Sequence, residues 1–290
     1  MEDLVYFYPD GHAAHAVQGH PERPERVETI RQGLEAAGLW RAPLPALTVP
    51  DEVLYAVHTA AYLKNLQSAC AAGMWYDADT YLLPASWELA LRTAGGACRV
   101  ADAVWRREAD KGFALCRPPG HHAGRQCAMG FCLLNNIALA TEFLCQQHHA
   151  SRLAIVDLDV HHGNGTQQIF WERGDVLYIS LHQWPFYPGS GRAWERGGGD
   201  GLGATLNCPL PAGTGDEGAL ACLEKLILPA LQRFAPQMVL VSAGFDAHWR
   251  DPLADFRFSA QGYYRLMQLL TGFCNQECKG RLAVMLEGGV

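Results

Sequence analysis

The stretch 153–165, LAIVDLDVHHGNG, joins an apolar run to two carboxylates and two imidazoles. The apolar run predicts a buried strand, because aliphatic and β-branched residues follow one another without polar alternation. Asp159 and His161 then share one face, since side chains two residues apart on an extended chain point the same way. Unpaired ionisable groups are costly to bury at the end of a core strand, and a metal ion removes that cost. An oxygen and a nitrogen ligand suit zinc or another borderline divalent cation, whereas the alternative interpretation is a solvated, histidine-rich loop.

A second apolar run, 238–245, ends in a carboxylate in the same way, at Asp246. Such runs alternate with segments of helical period along the chain, which predicts a parallel sheet covered by helices on both faces. Sites in open sheets of this kind form at the carboxyl ends of the strands. We therefore expect Asp159, His161 and Asp246 to converge on one ion and to leave a coordination position for water, as in a catalytic site.

The elements that must position these residues are predicted from the same periodicities. Strands are predicted near 5–8, 113–116, 153–157, 176–182, 238–245 and 282–290. Helices are predicted near 27–37, 51–72, 84–110, 136–147, 164–171, 215–234 and 259–276. The segment 183–203, rich in glycine and aromatic residues, is expected to be a long loop that forms the rim of a functional site.

A further pair of imidazoles, His121 and His122, follows the sequence Arg-Pro-Pro-Gly at 117–120. Two prolines and a glycine hold this backbone outside regular structure. The segment is therefore expected to be a rigid loop that presents both rings, although an ordinary surface pair of histidines is an equal alternative on this motif alone.

The bulk properties of the chain exclude several classes of protein. With 290 residues, of which 49% are hydrophobic, the chain can bury one large core, and we expect a single domain over 1–290. A net charge of −7 without a basic run disfavours a nucleic-acid ligand. No stretch is long and apolar enough to span a membrane, and the first residues lack the pattern of a signal peptide. Ten cysteines without a Cys-x-x-Cys pair indicate reduced thiols in a cytoplasmic protein.

Taken together, these motifs resemble those of the histone deacetylase family, from HPERP at 20–24 to EGG at 287–289. Three motifs are highly specific in combination: RPPGHHA at 117–123, DLDVHHGNGTQ at 157–167 and SAGFDA at 242–247. With asparagine at position 164, the chain resembles the class II branch of the family and its bacterial relatives. The resemblance implies an arginase-like fold, an open parallel sheet flanked by helices on both faces. It also implies a zinc-dependent amidohydrolase that removes acetyl or other acyl groups from lysine or polyamine nitrogens.

The resemblance also implies roles for individual residues. It implies zinc ligands at Asp159, His161 and Asp246. His122 would be the general base and acid, oriented by Asn164, and His121 would pair with Asp157 and act mainly through its charge. A structural potassium site would involve Asp157, Ser180 and Leu181, together with the backbone carbonyls of Asp159 and His161. The residues expected along the substrate channel are Asp77 (or less favourably Asp79), Gly130, Phe131, Tyr187, Leu253 and Gly288, with Arg26 lining an internal acetate cavity.

The chain departs from the family pattern at Val290, where the resemblance implies a tyrosine whose hydroxyl stabilises the oxyanion. Loss of one such donor typically lowers turnover by about 10²–10³. The domain is also expected to lack the C-terminal helix that usually follows this position. A weakly active or inactive protein that binds acyl-lysine is therefore one alternative interpretation.

Two enzyme alternatives concern the metal and the substrate. A binuclear manganese ureohydrolase of the same fold would need further carboxylates to bridge a second metal ion. Gly163 and His248 stand where those carboxylates would be expected, and neither residue has one, which favours a single zinc ion. An acetylpolyamine deacetylase suits the negative net charge of the chain. Leu253, where some polyamine-selective members carry a glutamate, instead favours acyl-lysine peptides.

Overall fold

The computed structural model describes residues 4–289 and contains one seven-stranded parallel sheet in the order β1-β2-β7-β6-β3-β4-β5. Every strand pair in the sheet is parallel. The strands are β1 (Leu4–Phe7), β2 (Lys111–Ala114), β3 (Leu153–Asp157), β4 (Val176–Gln183), β5 (Thr205–Leu210), β6 (Met238–Ala243) and β7 (Leu282–Leu286). The central strands β3 and β6 lie side by side and run parallel, which brings their carboxyl ends to the same edge.

Helices connect the strands. They are α1 (Glu25–Ala36), α2 (Asp51–Val57), α3 (Ala60–Ala72), α4 (Ser86–Trp105), α5 (Asn136–His148), α6 (Asn164–Phe170), α7 (Asp216–Cys222), α8 (Leu228–Phe234) and α9 (Ala260–Glu277). A π-helical turn, Leu223–Ile227, joins α7 to α8, so this part of the chain is helical throughout, as the sequence predicts. No helix within 4–289 combines the length and the apolarity that crossing a bilayer requires.

The apolar side chains of the central strands divide between two cores, one on each face of the sheet. In β3, Leu153 and Ile155 contribute to the core that also contains residues of α4 and α5. Ala154 and Val156 contribute to the core that contains residues of α7 and α9. Because successive strand residues face opposite ways, a strand covered on both sides must be apolar throughout. The predicted open parallel sheet with helices on both faces is confirmed.

The chain differs from the predicted elements in two places. The helix predicted over 51–72 is two helices, because His58 between them is extended (φ −120°, ψ 143°) and its ring bonds to other segments. Strand β5 was not predicted. It contains Pro209, which cannot donate to a neighbouring strand, and it lies at an edge of the sheet, where proline is tolerated. The predictions for Val290 concern a residue outside the described part of the chain.

Candidate metal centre

The three predicted ligands, Asp159, His161 and Asp246, lie together at the carboxyl ends of β3 and β6. Their ligand atoms all lie within 4.8 Å of one another. The Nδ1 atom of His161 is 3.0 Å from Oδ1 of Asp159 and 3.2 Å from Oδ2 of Asp246. The convergence follows from the register of the sheet, in which Asp157 of β3 stands opposite Ser242 of β6. We refer to these three residues as the ligand trio.

Backbone amides fix the carboxylates of the trio. Asp159 accepts hydrogen bonds from the N–H groups of His161 (2.9 Å) and Gly288 (2.9 Å), and Asp246 accepts one from Val160 (3.0 Å). A side chain at Gly288 would collide with the carboxylate of Asp246. The glycine therefore allows the chain after β7 to approach the carboxylates closely enough to donate its N–H.

The charges of the trio fit a divalent cation. Asp159 and Asp246 are buried, and burial together with the charge of Asp159 raises the pKa of Asp246 to about 6. Burial alone would lower the pKa of His161, but its hydrogen bonds to the two carboxylates raise it to about 10. Without a metal, the two carboxylates thus depend on a proton held by His161. Two buried oxygen donors and one nitrogen donor are a suitable set for zinc.

The two histidines after the proline-rich segment lie next to the trio, with their ring centroids 4.0 Å apart. Nδ1 of His121 is 3.0 Å from Oδ2 of Asp157, and Nδ1 of His122 is 2.8 Å from Oδ1 of Asn164. Since the amide oxygen of Asn164 can only accept, Nδ1 of His122 carries the proton. The Nε2 atom of His122 is then a free proton acceptor when the ring is neutral.

The surroundings separate the protonation states of these two rings. Burial, with the neighbouring His121 and His161, lowers the pKa of His122 well below its ordinary value. Burial also opposes the charge on His121, but the carboxylates of Asp159 and Asp157 raise its pKa well above the ordinary value. One ring is thus a neutral base and the other an imidazolium, a division that acid–base catalysis uses.

A buried carboxylate that sequence reasoning missed, Glu287, holds the histidine loop in place. Its Oε2 accepts the N–H groups of Gly120 (2.7 Å) and His121 (3.1 Å), and its Oε1 accepts the hydroxyl of Ser242 (2.9 Å). Burial raises the pKa of Glu287 to about 7. The available signal was its position, because it ends the apolar run of β7 as Asp246 follows that of β6.

A cavity of about 470 Å³ opens over the trio. Five of the predicted substrate residues line it, and they are Gly130, Phe131, Tyr187, Leu253 and Gly288. Arg26 lines it as well and donates hydrogen bonds to the backbone carbonyls of Glu287 and Gly289.

The preferred rim residue, Asp77, is not among the residues that line the cavity, whereas Asp79 is. Oδ1 of Asp77 instead accepts the N–H groups of Asp79 (3.1 Å) and Thr80 (2.6 Å) within its own loop. Aspartate side chains commonly stabilise a turn by accepting backbone N–H groups a few residues later in the chain. The geometry therefore favours Asp79, the less favoured of the two sequence candidates, as the rim carboxylate.

The residues predicted to hold potassium are neighbours in the sheet, since Asp157 of β3 pairs with Ser180 of β4 and Leu181 follows directly. The carboxylate of Asp157 also bonds to His121 and to the hydroxyl of Tyr178 (3.2 Å). The hydroxyl of Ser180 lies 2.9 Å from Nδ1 of His182. Potassium binding here stays a prediction.

A second buried cluster of ions, which we call the arginine cluster, consists of Glu22, Arg26 and Arg117. Nη2 of Arg117 donates to Oε2 of Glu22 (3.0 Å), and its Nε lies 2.8 Å from Oε1. Nη1 of Arg26 donates to the same carboxylate (3.4 Å), as does the hydroxyl of Tyr81 (3.0 Å). Arg117 also donates to the backbone carbonyls of His12 and His15. Sequence reasoning did not identify this arrangement.

Comparison with known proteins gives concordant matches. The histone deacetylase domain model matches residues 20–290. The chain is 42% identical over 275 residues to a probable deacetylase of Archaeoglobus fulgidus, covering 93% of this chain and 76% of that protein. It is 40% identical over 279 residues to the histone deacetylase-like amidohydrolase of Pseudomonas aeruginosa, covering 94% of this chain and 73% of that protein. The crystal structure of the HDA15 HD domain superposes with a TM-score of 0.91 at 36% identity, over 100% of this chain and 85% of that one.

Proposed function

This chain belongs to the histone deacetylase family, and on that premise we propose that it is a zinc-dependent amidohydrolase that removes acetyl or other acyl groups from lysine side chains of proteins or peptides. The observation that supports the proposal is that the ligand trio and the two imidazoles of His121 and His122 line one cavity. None of these features alone would require amide hydrolysis, but together they supply a cation site, a base and an acid.

Zinc bound by Asp159, His161 and Asp246 would polarise the acyl carbonyl and lower the pKa of a water molecule. Nε2 of His122 takes one proton from the water as the water oxygen bonds to the carbonyl carbon. Asn164 accepts a hydrogen bond from Nδ1 of this ring and so keeps Nε2, the accepting nitrogen, turned to the cavity.

The same ring then returns the proton. As the C–N bond breaks, His122 delivers its proton to the leaving amine, and the acyl group departs as a carboxylic acid, whose remaining proton passes to the released amine to leave a carboxylate and an ammonium ion. The positive charge of His121, 4.0 Å away between ring centroids, favours early release of that proton. It also stabilises the negative charge that develops on the substrate oxygen, since both rings line the cavity.

A metal assay together with matched variants tests this proposal. The purified protein is expected to hold about one zinc ion per chain and to release the acyl group from an acetyl-lysine peptide. Asp159→Asn should lose both properties, whereas Asp200→Asn, the same change at an exposed position, should keep them. Retention of zinc and turnover by Asp159→Asn would contradict the proposal.

We further propose that Val290 limits the rate, because valine offers no hydroxyl to the oxyanion. Val290→Tyr is expected to raise turnover of an acetyl-lysine peptide by at least about tenfold, within the range that one oxyanion donor contributes. Val290→Phe is the matched control, since it adds the ring without the hydroxyl. An equal gain in both variants, or no gain in either, would show that the hydroxyl is not what the site lacks. Peptide binding without turnover would support the alternative of an acyl-lysine-binding protein.

Acylated polyamines are the second candidate substrates. The carboxylate of Asp79 on the cavity lining suits a cationic amine, whereas Leu253 on the same lining offers an apolar contact to a peptide. We favour the peptide, and a direct comparison of acetyl-lysine peptide with acetylputrescine decides the question. A higher kcat/KM for acetylputrescine would reverse the assignment.

The proposal includes a structural potassium ion at Asp157, Ser180 and Leu181 and a reducing, cytoplasmic environment. All ten cysteines lie in the described part of the chain and are free thiols, which suits such an environment. Potassium is tested by comparing melting temperatures in potassium and in tetramethylammonium chloride. A melting temperature that does not change would count against the potassium site.

A further inference from the structure

His162 and Gln167 are buried members of the DLDVHHGNGTQ motif, and neither has a part in the proposed reaction. Gln167 uses both ends of its amide, because Oε1 accepts a hydrogen bond from Nδ2 of Asn207 (2.7 Å) and Nε2 donates one to Glu195 (2.7 Å). Nε2 of His162 lies 3.0 Å from the same Oε1 atom and therefore carries the proton. Nδ1 of His162 is then an acceptor, and it receives the hydroxyl of Ser190 (2.8 Å).

These contacts tie the motif to the rim loop, which we define as residues 184–204 between β4 and β5. The carboxylate of Glu195 accepts the side-chain N–H of Gln167 and also the backbone N–H groups of Gly191 (3.1 Å) and Arg192 (3.1 Å) in its own loop. Burial opposes the charge on Glu195, but these hydrogen bonds lower its pKa below the ordinary value, so the group is a carboxylate at neutral pH. We call the pair Glu195 and Gln167 the rim latch.

The rim latch lies where the loop packs closely against two imidazoles. The carbonyl of Gly191 accepts a hydrogen bond from Nε2 of His182 (2.8 Å). Gly191 has a φ of 89°, in the left-handed region that favours glycine, and a Cβ atom there would collide with the rings of His182 and His162. This part of the loop therefore has one close-packed position, and the hydrogen bonds of the latch lie beside it.

The latch supports the cavity wall from its downstream side. Upstream, the N–H of Trp184 donates to the carbonyl of Leu210 in β5 (2.8 Å). Downstream, Ser190 bonds to the histidine of the motif. Phe186 and Tyr187, which line the cavity, lie between these two supports. Since the position of a short span depends on where its ends are held, the latch controls how the two rings are placed over the cavity.

Both rings contact groups that the proposed reaction uses. The ring of Phe186 stacks on that of His161, with the centroids 5.2 Å apart and the planes at 19°. The ring of Tyr187 meets that of His122 edge to face, with the centroids 5.3 Å apart. A lysine side chain that carries its acyl group to the metal passes beside these rings, and its methylene groups lose contact with them if the loop shifts.

We infer that Glu195 and Gln167 are positioning residues, which hold the rim loop where Phe186 and Tyr187 enclose the lysine side chain of the substrate. This inference rests on the proposed function. The contacts involve the lysine methylene groups rather than the reacting amide, so they are the same in the bound substrate and in the transition state. Loss of the latch should therefore raise KM and leave kcat nearly unchanged, whereas a loss of folded protein alone would lower kcat and leave KM unchanged.

The test exchanges the two members of the latch. Gln167→Glu places two carboxylates against each other and keeps the oxygen that accepts from His162, so it should separate the loop from α6. KM for an acetyl-lysine peptide is expected to rise about fourfold, as loss of contact with one methylene group implies, with kcat within about twofold. Adding Glu195→Gln restores one carboxylate and one amide in exchanged order, and KM should return to within about twofold of the wild-type value.

Gln168→Glu is the control, because it makes the same change of charge at the next, exposed residue of α6 and keeps the oxygen that accepts the N–H of Arg125. It should alter neither constant. An unchanged KM in Gln167→Glu, or an increase that Glu195→Gln does not reverse, would overturn the inference.

Hydrogen exchange separates this result from failure of the proposed function. Amides over 186–192 should exchange about fivefold faster in Gln167→Glu than in the wild type, and the double variant should regain most of the protection, because one hydrogen bond is lost and then restored. Equal exchange in all three proteins would also overturn the inference. If the wild-type chain hydrolysed no peptide, the proposed function would fail, while the exchange rates would still decide whether the latch holds the loop.

Discussion

The molecule buries two clusters of ionisable side chains that differ in how their charges are balanced. In the arginine cluster, the carboxylate of Glu22 meets the guanidinium groups of Arg26 and Arg117, and the spare N–H groups of Arg117 reach backbone carbonyls. In the ligand trio, Asp159 and Asp246 share the single imidazole of His161. Guanidinium groups outnumber the carboxylate in the first cluster. In the second, carboxylates outnumber the cationic rings, even when the neighbouring His121 is counted together with Asp157.

This difference distinguishes a structural role from a functional one. A buried ion pair persists when good geometry and added hydrogen bonds offset the loss of hydration, and removing one partner is then costly. A cluster with excess negative charge is stable only with an external cation or with protons. Carboxylate-to-amide substitutions, which change charge but little shape, should therefore have opposite effects on stability in the two places.

The largest effect is expected for Asp246→Asn. Loss of an oxygen ligand should remove zinc and lower turnover at least about 10³-fold, which corresponds to about 4 kcal/mol of activation free energy. The metal-free protein should at the same time gain stability above pH 6, because burial and Asp159 already raise the pKa of Asp246 to about 6. Zinc analysis, turnover and urea unfolding in the presence of a chelator measure the three quantities. A metal-free variant that is less stable than the metal-free wild type would contradict the expected difference in stability between the two clusters.

A smaller effect, and of opposite sign on stability, is expected for Glu22→Gln. The change leaves Arg117 and Arg26 buried without their counter-charge, and it should cost roughly 3 kcal/mol in the free energy of unfolding. Burial opposes ionisation of Glu22, but Arg117 and Arg26 lower its pKa, so the removed group is charged in the wild type. Glu224→Gln, at an exposed position, is the control and should change the free energy by less than about 0.5 kcal/mol. Equal stability of the two variants in urea would show that the arginine cluster is not structural.

The contrast between the clusters also explains what could be predicted from the sequence. β3 ends at Asp157, so Asp159 and His161 follow the strand instead of extending it, and Asp246 follows β6 in the same way. The parallel sheet therefore brings all three together by topology alone. The partners of the arginine cluster come from unrelated segments. Arg117 and Glu22 are 95 residues apart and meet through loops, for which no periodicity exists. The family and the fold were recognisable, but this packing was not.

Two other differences from the sequence-based expectations have local physical causes. Strand β5 carries Asn207 and Pro209, which are rare in strands, and only its place at the edge of the sheet permits them. Asp77 and Asp79 are separated by a single alanine. Which of them lines the cavity depends on the loop, in which the carboxylate of Asp77 accepts the N–H groups of Asp79 and Thr80. Both outcomes are set by tertiary contacts rather than by residue type.

The smallest effect tests the same principle on one isolated group, His58. This imidazole is fully buried between the carbonyl of Gly124 (2.9 Å) and the N–H of Asn135 (3.0 Å), with no carboxylate bonded to it. Burial lowers its pKa to about 4. The unfolded chain, with an ordinary histidine pKa near 6.5, therefore binds a proton between about pH 6.5 and 4 that the folded protein does not.

The stability that depends on neutral His58 is fully present above pH 6.5 and should fall as the pH drops toward 4, by roughly 3 kcal/mol. His58→Gln should be less stable at neutral pH, because it loses the two ring hydrogen bonds, but its free energy of unfolding should depend less on pH over this interval. Urea unfolding of both proteins at half-unit steps of pH gives the two slopes. If the slopes were the same, a buried ionisable group without a counter-charge would not carry the penalty that distinguishes the ligand trio from the arginine cluster.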